Sequence, residues 1–223
     1  MKPTLYGVPQ SPFVRKVRAA LHLKGFAFHN IPVMPGDTSR TFRSISPLGK
    51  IPGYREGSLK LCDSSVICAY LERTHPQISL FPEDPRDYAH ALWIEEYSDT
   101  VMSEVFTATL MFQCLLAPAF LKRNTDEALV EKTLEELVPP IFQFIEASFL
   151  GEEQFLVGSD LSIADISLTS QLLSFVYAGN KMEEQPYPKL RSYFERMLKT
   201  DPFPRLLEEE NYPHFQVFLS RGM

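Results

Sequence analysis

The sequence predicts a compact α/β domain followed by an all-helical domain. Six of the ten glycines and seven of the eighteen prolines lie within residues 1–57, and residues 58–150 contain no glycine. Because glycine and proline mark turns, a region rich in both is built of short elements, and a region without glycine favours long helices. Three further prolines fall within residues 75–85 and indicate a linker. The predicted boundaries are therefore 1–75 for the α/β domain, 76–86 for the linker and 87–223 for the helical domain.

In the first domain the predicted order is strand, helix, strand, an irregular segment, two strands and a helix. Ser11 is expected to cap the first helix, with Pro12 at its first position and Gly25 at its end. The first two strands can pair in parallel across the helix, and the last two can form a hairpin. The other elements are strands at Thr4-Leu5-Tyr6, Phe28 to Val33, Gly53-Tyr54 and Ser58 to Leu61, and a helix capped by Ser64 or Ser65.

The second domain is predicted to contain helices near residues 86–116, 125–149, 162–178 and 188–199. Pro118 is expected to end or kink the first of these, and Pro139-Pro140 to kink or break the second. Ser162 and Asp165 have the S-x-x-D spacing of a capping box that opens an apolar helix. Their predicted role is structural.

Composition excludes several classes of protein. The chain has 223 residues, 44% of them hydrophobic, and a net charge of −6, which is typical of a globular protein rather than a disordered one. No uncharged apolar run reaches 18 residues, so no membrane-spanning helix is expected, and the first residues lack the pattern of a secretion signal. The three cysteines form no CxxC pair, which favours a reducing cytoplasm over disulfides or a zinc site.

The charge is unevenly distributed along the chain. Residues 1–75 carry a balance of +7, and residues 76–223 carry −13. A basic first domain can attract an anionic ligand, or the two halves can simply attract each other. Nucleic acid is the weaker candidate ligand because the basic residues are dispersed and the whole-chain pI is about 5.4.

Three local patterns in the first domain are candidates for binding or chemistry. Ser11 follows a strand and a loop at a helix N-terminus, where the dipole and free N–H groups favour an anion, although it can equally be a helix cap. Tyr6 is a competing hydroxyl, but its place in a strand favours a core or edge role.

Lys50-Ile51-Pro52 precedes a strand, so Ile51-Pro52 is a candidate cis peptide. At such a turn Ile51 can pair with an extended peptide, and Lys50 can meet a carboxylate. Asp63-Ser64 at a helix start can receive the ammonium and carboxylate of an α-amino acid, or can cap the helix.

Taken together, these patterns give the sequence a specific resemblance. With Arg18 in the first helix and the segment Gly158 to Asp165, they occur in the order and at the intervals found in the glutathione S-transferase superfamily. The chain looks closest to its serine-type members, the theta-, phi- and tau-like bacterial or plant-like classes with a Ser-Pro-Phe segment. Members that carry out redox chemistry have cysteine at the position of Ser11. Ser46 and Asp63 depart mildly from the family pattern, which more often has asparagine and glutamate there.

The resemblance implies a thioredoxin-like domain followed by an all-α domain, as a cytoplasmic homodimer that binds neither nucleic acid nor membrane. It implies a detoxifying transferase that uses glutathione as co-substrate and no metal. Ser11 would donate a hydrogen bond to the glutathione sulfur, Asp63 and Ser64 would hold the γ-glutamyl end, Ile51 would pair with the cysteinyl backbone and Lys50 would meet the glycyl carboxylate. Pro52 would be structural.

The electrophilic substrate is expected to be small and hydrophobic. Its pocket would be lined by Phe13, Met102, Phe106 and Thr109, although each helical position also fits core packing. Asp99 could reach the glutathione ammonium across a dimer interface, or lie on a solvated helix face. Alternatives on the same fold are a glutathione-dependent isomerase, dehalogenase or peroxidase, and a non-catalytic glutathione-binding or regulatory protein.

Overall fold

The structure is a computed structural model that describes residues 2–210. It divides into two compact units. Of the described residues, unit 1 comprises 2–81 together with Asp201–Glu210, and unit 2 comprises Pro82–Thr200. The division at Phe81 falls inside the segment expected to be the linker. Asp201–Glu210 groups with the first unit, whereas the sequence places it in the helical domain.

Unit 1 contains a mixed four-stranded sheet in the order β2-β1-β3-β4. Strand β1 pairs in parallel with β2 and antiparallel with β3, and β3 pairs antiparallel with β4. This arrangement confirms the predicted thioredoxin-like topology. The strands are β1 Thr4–Tyr6, β2 His29–Ile31, β3 Gly53–Glu56 and β4 Leu59–Cys62, so β2 is shorter than expected.

Four helices accompany the sheet: α1 Pro12–Leu23, α2 Arg40–Arg43, α3 Ser64–Thr74 and α11 Phe203–Glu210. Helix α1 packs against both α3 and α11. Its apolar face is fully buried, with Val14, Val17 and Leu21 at 0% exposure. The short helix α2 lies in the segment predicted to be irregular, and α11 has no counterpart in the sequence-based prediction.

Unit 2 is helical, as predicted. Helix α4 (Pro85–Tyr97) runs directly into α5 (Ser98–Leu121), a π-type helix that contains Pro118, so the helix does not end at Pro118, and a kink there stays a prediction. Pro139-Pro140 lie in the first turn of α8 (Val138–Ser148), which follows α7 (Thr133–Leu137) directly, so the helix is not broken there, and the expected kink stays a prediction. The helices are α4 Pro85–Tyr97, α5 Ser98–Leu121, α6 Glu127–Lys132, α7 Thr133–Leu137, α8 Val138–Ser148, α9 Ile163–Tyr177 and α10 Pro188–Met197.

The continuous helical run Pro85–Leu121 is long and apolar enough to cross a bilayer by length and composition alone, contrary to the expectation. Its most apolar stretch has a mean hydropathy of 1.5. Only 28% of that stretch is buried. Its buried residues belong to the core of unit 2, where α5 packs against α9, a helix whose fifteen residues are all buried.

Helix α9 begins at the predicted capping box. The Ser162 side chain accepts a hydrogen bond from the backbone of the first turn, and the Asp165 carboxylate accepts one from the Ser162 N–H at 3.0 Å. Burial raises the pKa of Asp165, and hydrogen bonds from Ser162, Leu156 and Tyr193 oppose that shift. This carboxylate is fully engaged in a folding element, in keeping with the structural role expected for both residues.

Candidate active site

The strand register brings the three candidate patterns of unit 1 to one end of the sheet. Tyr6, the last residue of β1, pairs with Gly53, and Gly53 pairs with Cys62, the last residue of β4. The loop after β1, the turn before β3 and the start of α3 therefore all leave the sheet along the same row. Ser11, Ile51 and Asp63 belong to these three segments.

Gly7 fixes the contact between two of these segments. It has φ 148°, and a Cβ placed on it would lie 2.5 Å from Val14 Cγ2 and 3.2 Å from Ile51 Cβ. Only glycine fits at this distance and in this conformation. The loop that carries Ser11 is thereby packed between α1 and the Ile51 turn.

Ser11 occupies the N-cap position of α1, as the sequence predicts, but its hydroxyl does not cap the helix. Its backbone is held on both sides, by its N–H donating to Val8 O at 3.1 Å and by its carbonyl accepting from Arg15 N at 2.8 Å. Within residues 2–210 the hydroxyl has no hydrogen-bond partner, and the first turn of α1 contains no acidic residue. The hydroxyl and the helix N-terminus are therefore both available to an anionic group.

The Lys50-Ile51-Pro52 turn is preorganised by residues that the sequence-based interpretation did not use. The Ile51–Pro52 bond is cis, as the sequence suggests. The Ser46 hydroxyl, itself fully buried, donates to Lys50 O at 2.7 Å. Ser46 thus supplies a side-chain hydrogen bond at the position where the family pattern more often has asparagine.

The turn leaves its peptide groups open. Among the described residues, neither the N–H nor the C=O of Ile51 forms a hydrogen bond, and the exposed Lys50 ammonium forms no ion pair. An extended peptide with a carboxylate end can therefore pair with Ile51 and approach Lys50 without displacing a protein partner.

Asp63 is the N-cap of α3, which confirms one of the alternatives for Asp63-Ser64 and excludes Ser64 and Ser65 as the cap. Its Oδ1 accepts hydrogen bonds from Ser65 N at 3.0 Å and Val66 N at 3.2 Å. Oδ2 has no partner within the described part of the chain, and the same is true of the Ser64 hydroxyl. Capping therefore occupies one oxygen of Asp63 and leaves the other oxygen and the neighbouring hydroxyl for a ligand.

A buried lysine lies beside this helix start. Lys16 of α1 is 1% exposed, and its ammonium donates to Ser65 Oγ at 3.1 Å. Sequence reasoning does not select Lys16, because it lies with Arg15 and Arg18 on the face of α1 opposite the apolar residues Val14, Val17 and Leu21. Its burial instead adds positive charge next to the Asp63-Ser64 segment.

The remaining predicted site residues are placed as follows. Tyr6 is 6% exposed and its ring lies 6.4 Å from that of Phe42, which is a core position. Phe13 is half-buried in the first turn of α1.

In unit 2, Met102 and Phe106 are fully buried in the core, and Thr109 Oγ1 donates to the Glu104 carbonyl. Packing accounts for Met102 and Phe106, and the assignment of all four residues to a substrate pocket stays a prediction, as does the role of Asp99.

Comparison with known proteins identifies the family. Residues 5–79 match the pattern of the glutathione S-transferase N-terminal domain, and residues 111–209 match that of its C-terminal domain. The chain belongs to the glutathione S-transferase family. It is similar to a glutathione S-transferase of Hyoscyamus muticus, 30% identical over 73% of this chain and 77% of the relative. It is also similar to glutathione S-transferase theta-3 of Mus musculus, 29% identical over 77% of this chain and 71% of the relative.

Other members extend the similarity over nearly the whole chain. A probable maleylacetoacetate isomerase of Caenorhabditis elegans is 24% identical over 91% of both chains. Among solved structures, a glutathione S-transferase from Sinorhizobium meliloti 1021 has a TM-score of 0.84 at 22% identity over 93% of both chains. FzlA from C. crescentus has a TM-score of 0.84 at 21% identity over 98% of this chain and 99% of that structure. The likeness to these structures shows the fold.

Proposed function

We propose that this protein is a glutathione transferase that activates the glutathione thiol as a thiolate for attack on small hydrophobic electrophiles. The observation that carries the proposal is the Ser11 hydroxyl, which is positioned at the N-terminus of α1 and has no protein partner within residues 2–210. Family membership supports glutathione as the ligand. In this proposal Ile51, Lys50, Asp63 and Ser64 hold the peptide, and the protein acts in the cytoplasm as a homodimer.

The residues present fit the chemistry of glutathione. Its cysteinyl backbone needs one donor and one acceptor, and Ile51 has both free among the described residues. Its glycyl carboxylate needs a cation, which Lys50 supplies. Its γ-glutamyl end carries an ammonium and a carboxylate, for which Asp63 Oδ2 and the Ser64 hydroxyl are available. The buried Lys16 nearby also favours the carboxylate.

The energy needed for thiol activation is within reach of one hydroxyl and one helix. A free thiol has a pKa of about 8.5, and lowering the pKa by about 2 units requires roughly 2.7 kcal/mol. A hydrogen bond to a charged group contributes about 1.5–3 kcal/mol, and a helix N-terminus about 0.3–1 kcal/mol. The thiol proton leaves to water, and the thiolate sulfur then forms the new bond to the electrophilic carbon; with an aryl halide the carbon–halogen bond breaks and the halide leaves with its electron pair. No general base is required.

The proposal is tested by the initial rate of thioether formation between glutathione and an activated aryl halide. Replacing Ser11 by Ala removes the hydrogen bond, so kcat/KM is expected to fall about 10- to 150-fold. Ser58→Ala is the matched control, because Ser58 is an exposed serine in the β3–β4 turn of the same unit. Equal kcat/KM in wild type and Ser11→Ala would overturn the assignment of Ser11.

A glutathione-dependent isomerase is a second candidate, favoured by the relative from Caenorhabditis elegans that matches 91% of both chains. An isomerase uses the same thiolate but returns glutathione unchanged at the end of each turnover. Incubation with a cis-enedione acid distinguishes the two functions. Isomerised product with no loss of free thiol indicates an isomerase, and a stoichiometric loss of thiol indicates a transferase.

A further inference from the structure

The last described helix of the chain reaches the loop that carries Ser11. Arg15 of α1 and Glu210 of α11 form a two-pronged ion pair, with Arg15 Nε and Nη2 each 2.8 Å from a Glu210 carboxylate oxygen. Both side chains are 0% exposed. Arg18 adds a further contact to Glu210 at 3.4 Å. These residues all belong to unit 1, although 195 positions separate Arg15 from Glu210.

This buried pair also holds Gln10, the residue immediately before Ser11. Arg15 Nη2 donates to the Gln10 carbonyl at 3.2 Å, and Gln10 Nε2 donates to the Glu210 carbonyl at 2.9 Å. The sheet anchors the earlier part of the loop through Gly7 N and Val8 N, which donate to the carbonyls of Ile31 and Val33. Gln10, in the later part of the loop, is therefore held by Arg15 of α1 and Glu210 of α11.

We propose that Arg15 and Glu210 are positioning residues, and that the docking of α11 sets the position of the Ser11 hydroxyl and hence the pKa of the bound thiol. The inference rests on the proposed function, because it concerns the same hydroxyl. Its physical basis is that a hydrogen bond to a thiolate weakens steeply when the donor is displaced or misaligned. Since the Ser11 hydroxyl has no protein partner within the described residues, its position depends on its own rotamer and on the backbone that carries it, and α11 acts on the backbone.

Two variants test the inference, so that an effect on stability is separated from an effect on position. Glu210→Gln leaves Arg15 buried without its charge partner, which is strongly destabilising locally. The double variant Arg15→Met/Glu210→Leu removes both charges at similar volume, which often preserves stability while still deleting the bond from Arg15 to Gln10. Glu72→Gln is the matched control, because it breaks another ion pair of unit 1, Lys24–Glu72 at 2.8 Å, and the hydrogen-bond partners of Glu72 among the described residues lie outside the Ser11 loop.

Two measurements are made on each full-length protein. The first is amide hydrogen exchange of Ser11 without glutathione, which is expected to speed up at least about tenfold in both test variants and to match wild type in Glu72→Gln. The second is the pKa of bound glutathione from thiolate absorbance, which is expected to rise by about one unit in both test variants only.

The outcomes separate the inference from the proposed function. If wild type lowers the thiol pKa but both test variants match wild type, the inference is wrong and the proposed function stands. If Ser11 exchange in both test variants equals that in wild type, the positioning role is likewise overturned. If wild type does not shift the pKa of bound glutathione at all, the proposed function fails, and the inference fails with it.

Discussion

Replacing Phe106 by alanine tests whether its side chain packs in the core of unit 2 or lines a substrate pocket. Its side chain is 0% exposed in α5, and its ring lies 5.6 Å from that of Phe142 and 5.4 Å from that of Phe175. Phe106→Ala removes the ring from this three-ring cluster and leaves a cavity. We expect a loss of about 3–5 kcal/mol in the free energy of unfolding of unit 2. For a domain of this size the melting temperature should fall by roughly 12–20 °C.

The assay is urea unfolding followed by the fluorescence of Trp93, the single tryptophan, which lies in α4 and therefore reports on unit 2. Phe120→Ala is the control, because Phe120 lies in the same helix but is 57% exposed, and its loss should change stability by less than about 0.5 kcal/mol. If Phe106→Ala unfolds within about 1 kcal/mol of wild type and instead raises KM for the electrophile, Phe106 lines the pocket and the packing argument is wrong.

Three further predictions concern other parts of the chain. Ser162→Ala removes the N-cap of α9 and should cost about 1 kcal/mol by the same fluorescence assay, and an unchanged midpoint would exclude a capping role. Lys50→Ala should raise KM for glutathione about two- to fivefold, with no difference from wild type for glutathione esterified at its glycyl carboxylate. Burial lowers the pKa of His22 against the opposing effect of its Glu209 partner, and hydrogen bonds from Arg205 and His22 lower that of Glu209 despite its burial. The His22 contribution to the docking of α11 is therefore fully present above its unfolded pKa of 6.5 and is lost as the pH falls through its lowered folded pKa, whereas the Glu209 contribution is lost only below 4.5. The amide protection factors of α11, which correct for the intrinsic pH dependence of exchange, should fall from pH 7 to 5, and fall less in His22→Gln.

The elements that the sequence predicts well are those with local causes. The capping box at Ser162 depends on four consecutive residues, and the β3–β4 hairpin depends on a turn at Gly57. Ser11, Ile51 and Asp63 lie at one end of the sheet because β1, β3 and β4 pair with Tyr6, Gly53 and Cys62 in one row. Short strands in a fixed order allow few other pairings. For these features, local sequence and topology are sufficient.

The features that the sequence does not reveal depend on distant partners. Arg15 and Lys16 look like surface charges until Glu210 and Ser65 are seen to bury them. Asp63 and Ser64 are both possible caps of α3 by sequence, because several neighbouring residue types can cap a helix, and only the backbone selects Asp63. Pro139-Pro140 suggests a kink or a break, whereas in the structure α8 follows α7 without a break.

The most direct test of the account is the pKa of glutathione bound to wild type and to Ser11→Ala, measured by thiolate absorbance across a pH series. We expect the thiol pKa in wild type to lie about 2 units below that of free glutathione, and to return most of the way to about 8.5 when the hydroxyl is removed. A bound thiol that titrates like the free one in wild type, or a low pKa that survives in Ser11→Ala, would contradict this expectation.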